Sequence, residues 1–433
     1  GIMAGWLIMS ATEAKKDYGF VVENGKIVEI VPNEKLLGKE GVIDARDSIV
    51  CPTFTNTHTH FYETLAHGAT EPNLSLKPLL EDFWWPVVEN RQTLETIRIS
   101  TEYSALESMT SGVTLCNDIL EAPFAERGKR LLTEEAVIRK AGMKAVLSLE
   151  SNERIGYENL EENKNFILKM RETGNSDIRG TICTHTTFSC STPFLMKAAG
   201  MARDMDEYIQ IHMNEGPDED KCCVDKYGMT TAELYKKIGF WEGGKAWANQ
   251  CSCMEPVELN IMGQMGVGIS TQPRSNALCN AGIAPVADML KNGIKVGLGT
   301  DNGEGNFYEN MRYLVLMQMG KNYSKHALTP LQGFQIATEG GAFGLGYTDV
   351  GCLKEGYSAD FQILTGNAAI QLTEKNVVAE VFWRKDPKDI KKVYVNGNLI
   401  CQDGHSVNLD DERIRKDFSE CVREFWKGQP YQD

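Results

Sequence analysis

The chain has 433 residues, 42% of them apolar, with 60 acidic against 45 basic side chains and a formal charge of −15. Such a balance excludes nucleic acid and anionic membrane as partners, because both demand basic patches. No apolar run of about 18 residues is present, which excludes a spanning helix. The start, Gly1-Ile2-Met3-Ala4-Gly5, has no basic segment leading into an apolar one, so no signal peptide is expected.

In chain order, residues 1–52 carry short alternating strands with turns, and Asn24-Gly25 after an apolar run signals a hairpin. From residue 53 onward, β-branched runs alternate with helix-like stretches. Strands are predicted at 53–58, 112–118, 144–150, 178–185, 208–215, 245–251, 267–272 and 294–301. Amphipathic segments lie between them at 131–141, 160–172, 193–206, 230–238, 256–265 and 286–291. Many have Gly near the following strand, as helix C-termini tend to. Strands interleaved with helices point to parallel βαβ units and to an α/β chain, a (β/α)8 TIM barrel over residues 53–354. Residues 355–404 return to alternating strands with a second turn at Asn396-Gly397. The two β-rich ends predict a small β-sandwich domain formed from both termini, residues 1–52 and 355–404. A charged helical tail follows over 405–433, its helix at 410–427.

The twelve cysteines are scattered, and the tight spacings, Cys222-Cys223 and Cys251-x-Cys253, are not C-x-x-C pairs. Buried thiols behave as small hydrophobes, so a reducing cytoplasm is the expected compartment. Only seven histidines exist. His58 and His60 end the first barrel strand, and residues i and i+2 of a strand share a face. His212 comes at the end of the fifth strand, with Glu215 three residues on, and Asp301 closes the eighth. All four ligand candidates therefore sit on the rim where barrel active sites are built. Three imidazoles and a carboxylate suit one divalent metal ion, zinc or another borderline metal such as iron, with a position left for water.

These segments resemble the amidohydrolase superfamily, in its branch of cytosine, guanine and adenosine-type aminohydrolases and triazine hydrolases. The resemblance runs over essentially the whole chain. It rests on 52–60, which ends His58-Thr59-His60, on Ile211-His212-Met213-Asn214-Glu215, on Pro273-Arg274-Ser275-Asn276, on Gly299-Thr300-Asp301 and on 349–360. It implies His58, His60, His212 and Asp301 as metal ligands, Asp301 also as acceptor of the water's proton, and Glu215 as the proton shuttle. It implies substrate contacts at His185, at the end of the fourth strand, and at Trp84, Trp85 and Glu89 after the first. The implied activity is hydrolytic deamination of a small nitrogen-rich heterocycle or amidine-like compound by metal-bound hydroxide. Chlorohydrolase, alkylaminohydrolase and cyclic amidohydrolase chemistry are the alternatives on the same scaffold, and a metal-binding homologue without catalysis is a further one. The expected assembly is a homo-oligomer acting on a small molecule.

One departure stands out. Family members usually carry a histidine at the end of the sixth strand, where this chain reads Ala248-Asn249-Gln250-Cys251-Ser252-Cys253. Gln250 hydrogen-bonds but cannot carry a proton. The reading made here is that Gln250 bonds the metal's water or the substrate's leaving edge, with Cys251 or Cys253 as replacement ligands the lesser option. No lysine ends the fourth strand, which argues against a carbamate-bridged two-metal centre. After the third strand, 147–154 is acidic apart from Arg154, so a neutral or cationic substrate is expected rather than one with an anionic tail.

Overall fold

The computed structural model describes residues 1–69, 72–302 and 305–429. The N-terminal alternation becomes β1 (Ile2–Ser10), β2 (Glu13–Lys16), β3 (Tyr18–Glu23), β4 (Lys26–Pro32) and β5 (Ile43–Pro52). Nine short strands follow: β6 (Phe54–Thr59), β7 (Val113–Leu120), β8 (Lys144–Leu149), β9 (Ile178–Gly180), β10 (Ile182–Thr184), β11 (Ile209–Met213), β12 (Ala246–Gln250), β13 (Gly268–Thr271) and β14 (Val296–Leu298). The chain returns to antiparallel pairing in β15 (Phe361–Thr365), β16 (Ile390–Val395), β17 (Asn398–Gln402) and β18 (His405–Ser406).

Both Asn-Gly turns close hairpins. Asn24 and Gly25 join β3 to β4 at φ 49° and 78°, and Asn396 and Gly397 join β16 to β17 at φ 49° and 72°. Two consecutive positive φ values match the twist of the flanking strands, which is why this dipeptide is placed there. The terminal strands join in one nine-stranded sheet ordered β18-β17-β16-β15-β5-β1-β3-β4, with β2 on β1. Its centre is the antiparallel pair of β15 with β5, so the two ends of the chain share one sheet. A helix at Val377–Arg384 interrupts the alternation predicted for 355–404 and buries Val377, Val381 and Phe382. Apolar residues at i, i+4 and i+5 make one helical stripe, which wins over alternation.

Between the ends, two sheets with parallel ladders run β6-β7-β8-β9 and β10-β11-β12-β13-β14. Thr181 separates β9 from β10, so one stretch of chain serves both sheets, and a parallel bridge pairs Thr59 with Asp301 at the other seam. The helices that connect them are α1 (Leu94–Thr110), α2 (Arg130–Ala141), α3 (Glu158–Glu172), α4 (Thr192–Asp204), α5 (Pro217–Tyr227), α6 (Thr231–Lys237), α7 (Pro256–Met265), α8 (Val286–Lys291) and α9 (Phe307–Lys321), while α10 (Asp411–Trp426) ends the chain. Residues 430–433 of the predicted tail lie outside the described residues.

Side chains of both parallel sheets meet in common layers. Asn117 of β7 donates to Gln210 of β11 at 2.8 Å, Gln210 donates to Ser148 of β8 at 3.0 Å, and the Thr57 and Ser270 hydroxyls of β6 and β13 lie 2.5 Å apart. Each of these buried polar groups is thereby satisfied in place. An apolar cluster holds Leu115 and Val146 of the first sheet against Trp247 of the second. No helix among the described residues is long and apolar enough to cross a membrane.

Trp247 is wedged between two glycines. A Cβ on Gly268 would come within 2.2 Å of its ring, and one on Gly344 within 2.0 Å. Overpacking a core typically costs about 1–3 kcal/mol. Gly344→Ala should therefore lower the unfolding midpoint in a thermal melt, and Trp247→Phe in the same chain should recover part of the loss. An unshifted midpoint for Gly344→Ala would show that the indole has room to move.

Candidate active site and metal centre

The sharp bends at strand ends are what aim the site residues. Asn214, Gln250, Cys251 and Asp301 all take positive φ, between 48° and 72°. For residues other than Gly this region costs of order 1–3 kcal/mol, and Asn and Asp tolerate it best. The bend at Asp301 lets its N–H bond to the His58 carbonyl at 2.9 Å while its own carbonyl accepts from His60 N at 3.2 Å. Backbone bonds thus lock the Asp301 end of the chain onto the strand that carries His58 and His60.

Donor atoms of His58, His60 and His212 all lie within 4.8 Å of one another, fully buried. Asp301 Oδ1 is 3.2 Å from both His58 Nε2 and His60 Nε2. Donors about 2.0–2.1 Å from one ion at tetrahedral angles lie about 3.3 Å apart, and the two distances from Asp301 match that spacing. Burial pushes the His58 and His212 imidazoles below their ordinary range, toward the neutral form a metal ligand needs. Burial also opposes charge on Asp301, but hydrogen bonds from His58 and His60 overcome it and hold the carboxyl well below the usual carboxylate range. A buried cluster of three imidazoles and one carboxylate is the chemistry of a divalent-cation site.

Asp301 Oδ2 has separate partners. Gln250 Nε2 donates to it at 3.0 Å, and the Ser275 hydroxyl donates to it as well. Gln250 was expected to reach a metal water or the substrate edge; one of its two amide N–H donors goes to Asp301, and its side chain is not among the described residues lining the cavity. Its Oε1 is buried without a hydrogen-bond partner among the described residues. Cys251 and Cys253 face the carbonyls of Asn249 and Ala281 and belong to neither group of candidate ligands.

A cavity of about 50 Å³ opens beside these groups, lined by His60, His212, Asp301, Glu215, His185, Glu89 and Trp84 among others. Six carboxyl side chains line it, those of Glu63, Glu89, Glu121, Glu150, Glu215 and Asp301, and no Lys or Arg is among the described lining residues. Burial pushes the Glu215 carboxyl well above its usual range, and the charge on Asp301 adds to the shift. His185 is driven down to about 3 by burial and then by Arg154, and its Nδ1 meets the Ser189 hydroxyl at 2.5 Å. Glu89 is pushed up to about 8 by burial and by Glu121, despite an ion pair with Arg154. Trp85, expected as a substrate contact, stands further back. It does not line the cavity but lies under the Arg154 guanidinium at 4.7 Å and meets His185 edge-on at 6.2 Å.

The sequence reading missed Ser275, although its segment was noted, and it missed the partners of the histidines. His60 Nδ1 lies 2.7 Å from the Ile119 carbonyl and 3.1 Å from Glu121 Oε2. Glu150 Oε2 lies 3.5 Å from His212 Nδ1. Glu121 and Glu150 each stand one residue past a strand end, as His60 does, and that position was the available signal.

The amidohydrolase family pattern matches residues 49–400. The chain is 30% identical over 409 residues to a 5'-deoxyadenosine deaminase of Methanosarcina barkeri, covering 93% of this chain and 92% of that one. It is 29% identical over 405 residues to a 5-methylthioadenosine/S-adenosylhomocysteine deaminase of Carboxydothermus hydrogenoformans, covering 91% of each. Its fold is similar to the crystal structure of a zinc-bound adenosine deaminase from Xanthomonas campestris, with TM-score 0.90, 18% identity and 98% of each chain covered.

Because Gln250 is one of two donors to the outer oxygen of Asp301, Gln250→Ala should raise the activation barrier by about 1–3 kcal/mol through the loss of one charge-assisted hydrogen bond, with Ser275 left as the remaining donor. The loss should appear in kcat, with metal content retained. A variant with unchanged kcat would make the Gln250 contact incidental.

Proposed function

Because this chain belongs to the amidohydrolase family, we propose that it is a metal-dependent aminohydrolase, cleaving the C–NH₂ bond of a small aminated heterocycle by water. The observation that carries the reading is the meeting, in one buried cavity, of three imidazoles and Asp301 with a separate carboxyl, Glu215, held protonated by burial. We infer also that the two parallel sheets are arcs of one closed (β/α)8 barrel over residues 53–354. Shared side-chain layers, the chain continuing through Thr181 and the Thr59–Asp301 bridge support this. Residues 1–52 and 355–404 then form the second domain, with the two faces of its bent sheet as a sandwich, and 405–433 are its helical extension.

His58, His60, His212 and Asp301 would hold the ion, zinc by its donor set. A divalent cation there supplies Lewis acidity and a water of lowered pKa. Hydrolysis adds a water oxygen to the amino-bearing carbon, and Glu215 would pass one of the water's protons to the adjacent ring nitrogen. The second proton goes to the amino group, the C–N bond breaks with its electron pair on nitrogen, and ammonia leaves a carbonyl behind. A carboxyl kept protonated near neutrality suits both transfers.

The cavity chooses against anions. No cation among the described lining residues meets a negative tail, and Arg154 is already paired with Glu89. The substrate is neutral or cationic and rich in N–H donors, in the cytoplasm as its compartment. At about 50 Å³ the cavity holds little more than a water, so Leu76, Leu79, Leu80, Trp84 and Glu89 of 76–91 have to give way on binding.

Elemental analysis of gently purified protein should find about one divalent ion per chain, and His58→Ala or Asp301→Ala should abolish activity with the fold kept. No ion, and no uptake of added zinc or iron, would remove the metal site. Glu215→Gln keeps shape without the transferable proton and should slow turnover about 10²-fold or more at unchanged metal content. Full activity in that variant would overturn the proton path. Ammonia release across aminated heterocycles, 5'-deoxyadenosine included, should favour neutral or cationic compounds over carboxylate-bearing ones by at least about 10-fold in kcat/KM. Equal rates on both would show that the acidic lining does not select.

A further inference from the structure

The mechanism leaves two buried carboxyls of the cavity unused. Glu121 follows β7 and Glu150 follows β8, strands paired as far as Leu120 with Leu149, and Glu150 N donates to the Leu120 carbonyl at 3.1 Å. Adjacent strand ends thus set the two side chains next to each other. On the other side stand His60 and His212, whose rings are stacked with 5.5 Å between centroids and 9° between planes. Glu121 Oε2 is 3.1 Å from His60 Nδ1, a nitrogen it shares with the Ile119 carbonyl at 2.7 Å, and Glu150 Oε2 is 3.5 Å from His212 Nδ1. Glu150 is itself fixed, its Oε1 accepting from Asn152 Nδ2 at 2.9 Å. Neither His58 Nδ1 nor His212 Nδ1 makes a hydrogen bond among the described residues, but His212 Nδ1 has the Glu150 carboxyl within ion-pair distance.

We propose that Glu121 and Glu150 act together as a carboxyl bridge that orients His60 and His212 from the Nδ1 side, leaving Nε2 of each ring for the metal position. The proposal rests on the metal-dependent reading above. An imidazole on a strand end still turns about its last side-chain torsion. A carboxyl on one nitrogen fixes both the ring plane and the tautomer, and such partners commonly account for 10–100-fold in metal affinity. Side by side, the two carboxyls hold parallel rings as a pair, so the aim of one histidine depends on the acid behind the other. Glu150, His185 and His212 also have the spacing of a metal site of their own. The occupied atoms favour the orienting role: His185 Nδ1 is taken by Ser189 and Glu150 Oε1 by Asn152.

The test is competition of the full chain against a chromogenic chelator for Zn²⁺, with stoichiometry measured alongside. Glu121→Ala and Glu150→Ala should each weaken zinc binding about 10–100-fold. Glu121→Gln and Glu150→Gln keep an acceptor oxygen and should stay within about 3-fold of the parent, a rescue that a volume-filling role would not require. The double alanine variant should lose less than the product of the single losses, because the two acids form one unit. Cobalt-loaded alanine variants should show a shifted visible spectrum, and glutamine variants the parental one. Should alanine at 150 prevent folding, Glu150→Met removes the acceptor while keeping volume and carries the same expectation. Alanine or methionine variants within about 3-fold of the parent overturn the proposal while leaving the metal site standing. So does a second zinc equivalent lost with Glu150, which would make Glu150 a ligand. A parent chain that binds no zinc removes the metal reading and this proposal together.

Discussion

A carboxylate taken out of water has to be neutralised on every side, and Asp301 is where this chain meets that requirement. Burying it unpaired would cost several kcal/mol. One oxygen is shared by His58 and His60, and the other accepts from Gln250 and Ser275. Those five residues come from β6, β12, the α-helical turn at Pro273–Leu278 and the chain just past β14. Satisfying one side chain therefore fixes the relative position of strand ends drawn from both parallel sheets. The positive φ values at Gln250 and Asp301 go with the same demand, since an extended strand end would aim these side chains elsewhere.

The covering of the cavity is held from a distance. Segment 76–91 contributes five residues to the lining, and its far end is pinned by Arg91, which donates to the Phe425 carbonyl and lies over the Phe425 ring at 4.3 Å. The Trp426 indole N–H donates to the Leu65 carbonyl at 2.6 Å, inside the turn that follows His60. Arg413 ties α10 to Glu102 of α1 at 2.9 Å. The last helix of the chain thus packs on the two segments that close the site, and water exclusion around Glu215 depends in part on it. Excluding water is what keeps that carboxyl protonated and strengthens each electrostatic contact inside.

Much of this was legible in the sequence where the signal is local. Helices α7 and α8 begin and end where apolar spacing and flanking Pro and Gly put them, and the strand pattern placed His58, His60, His212 and Asp301 on one rim before any coordinates. Parallel strands buried on both faces read as continuous apolar runs, and that is why they stood out. The fourth strand did not show its break at Thr181, because a seam between ladders leaves no compositional trace. Long-range partnerships were beyond reach for the same reason. Nothing near Glu121 names His60, and Glu150 could be read only as part of an acidic stretch bearing on the substrate's tail. Gln250 was singled out as a departure, but which carboxylate or water its amide meets is a matter of three dimensions. Trp85 was grouped with Trp84 by adjacency, whereas neighbours on a helical turn point about 100° apart.

The exchange of the usual histidine for Gln250 bears on how charge is divided in the site. An imidazole at that place could take up a proton and change the charge beside Asp301 during turnover, whereas an amide cannot. With Gln250 and Ser275 both donating to it, the outer oxygen of Asp301 is a poor place to leave a proton. Glu215 differs: it lines the cavity, no hydrogen bond from the described residues occupies its carboxyl, and burial holds its proton at neutral pH. The arrangement is consistent with the proposal that Glu215 carries the proton and Asp301 serves chiefly as a ligand. That division is consistent with the acid-rich lining, since a cavity with several carboxyls accommodates a cationic or N–H-rich substrate best when the charge next to the metal position stays constant.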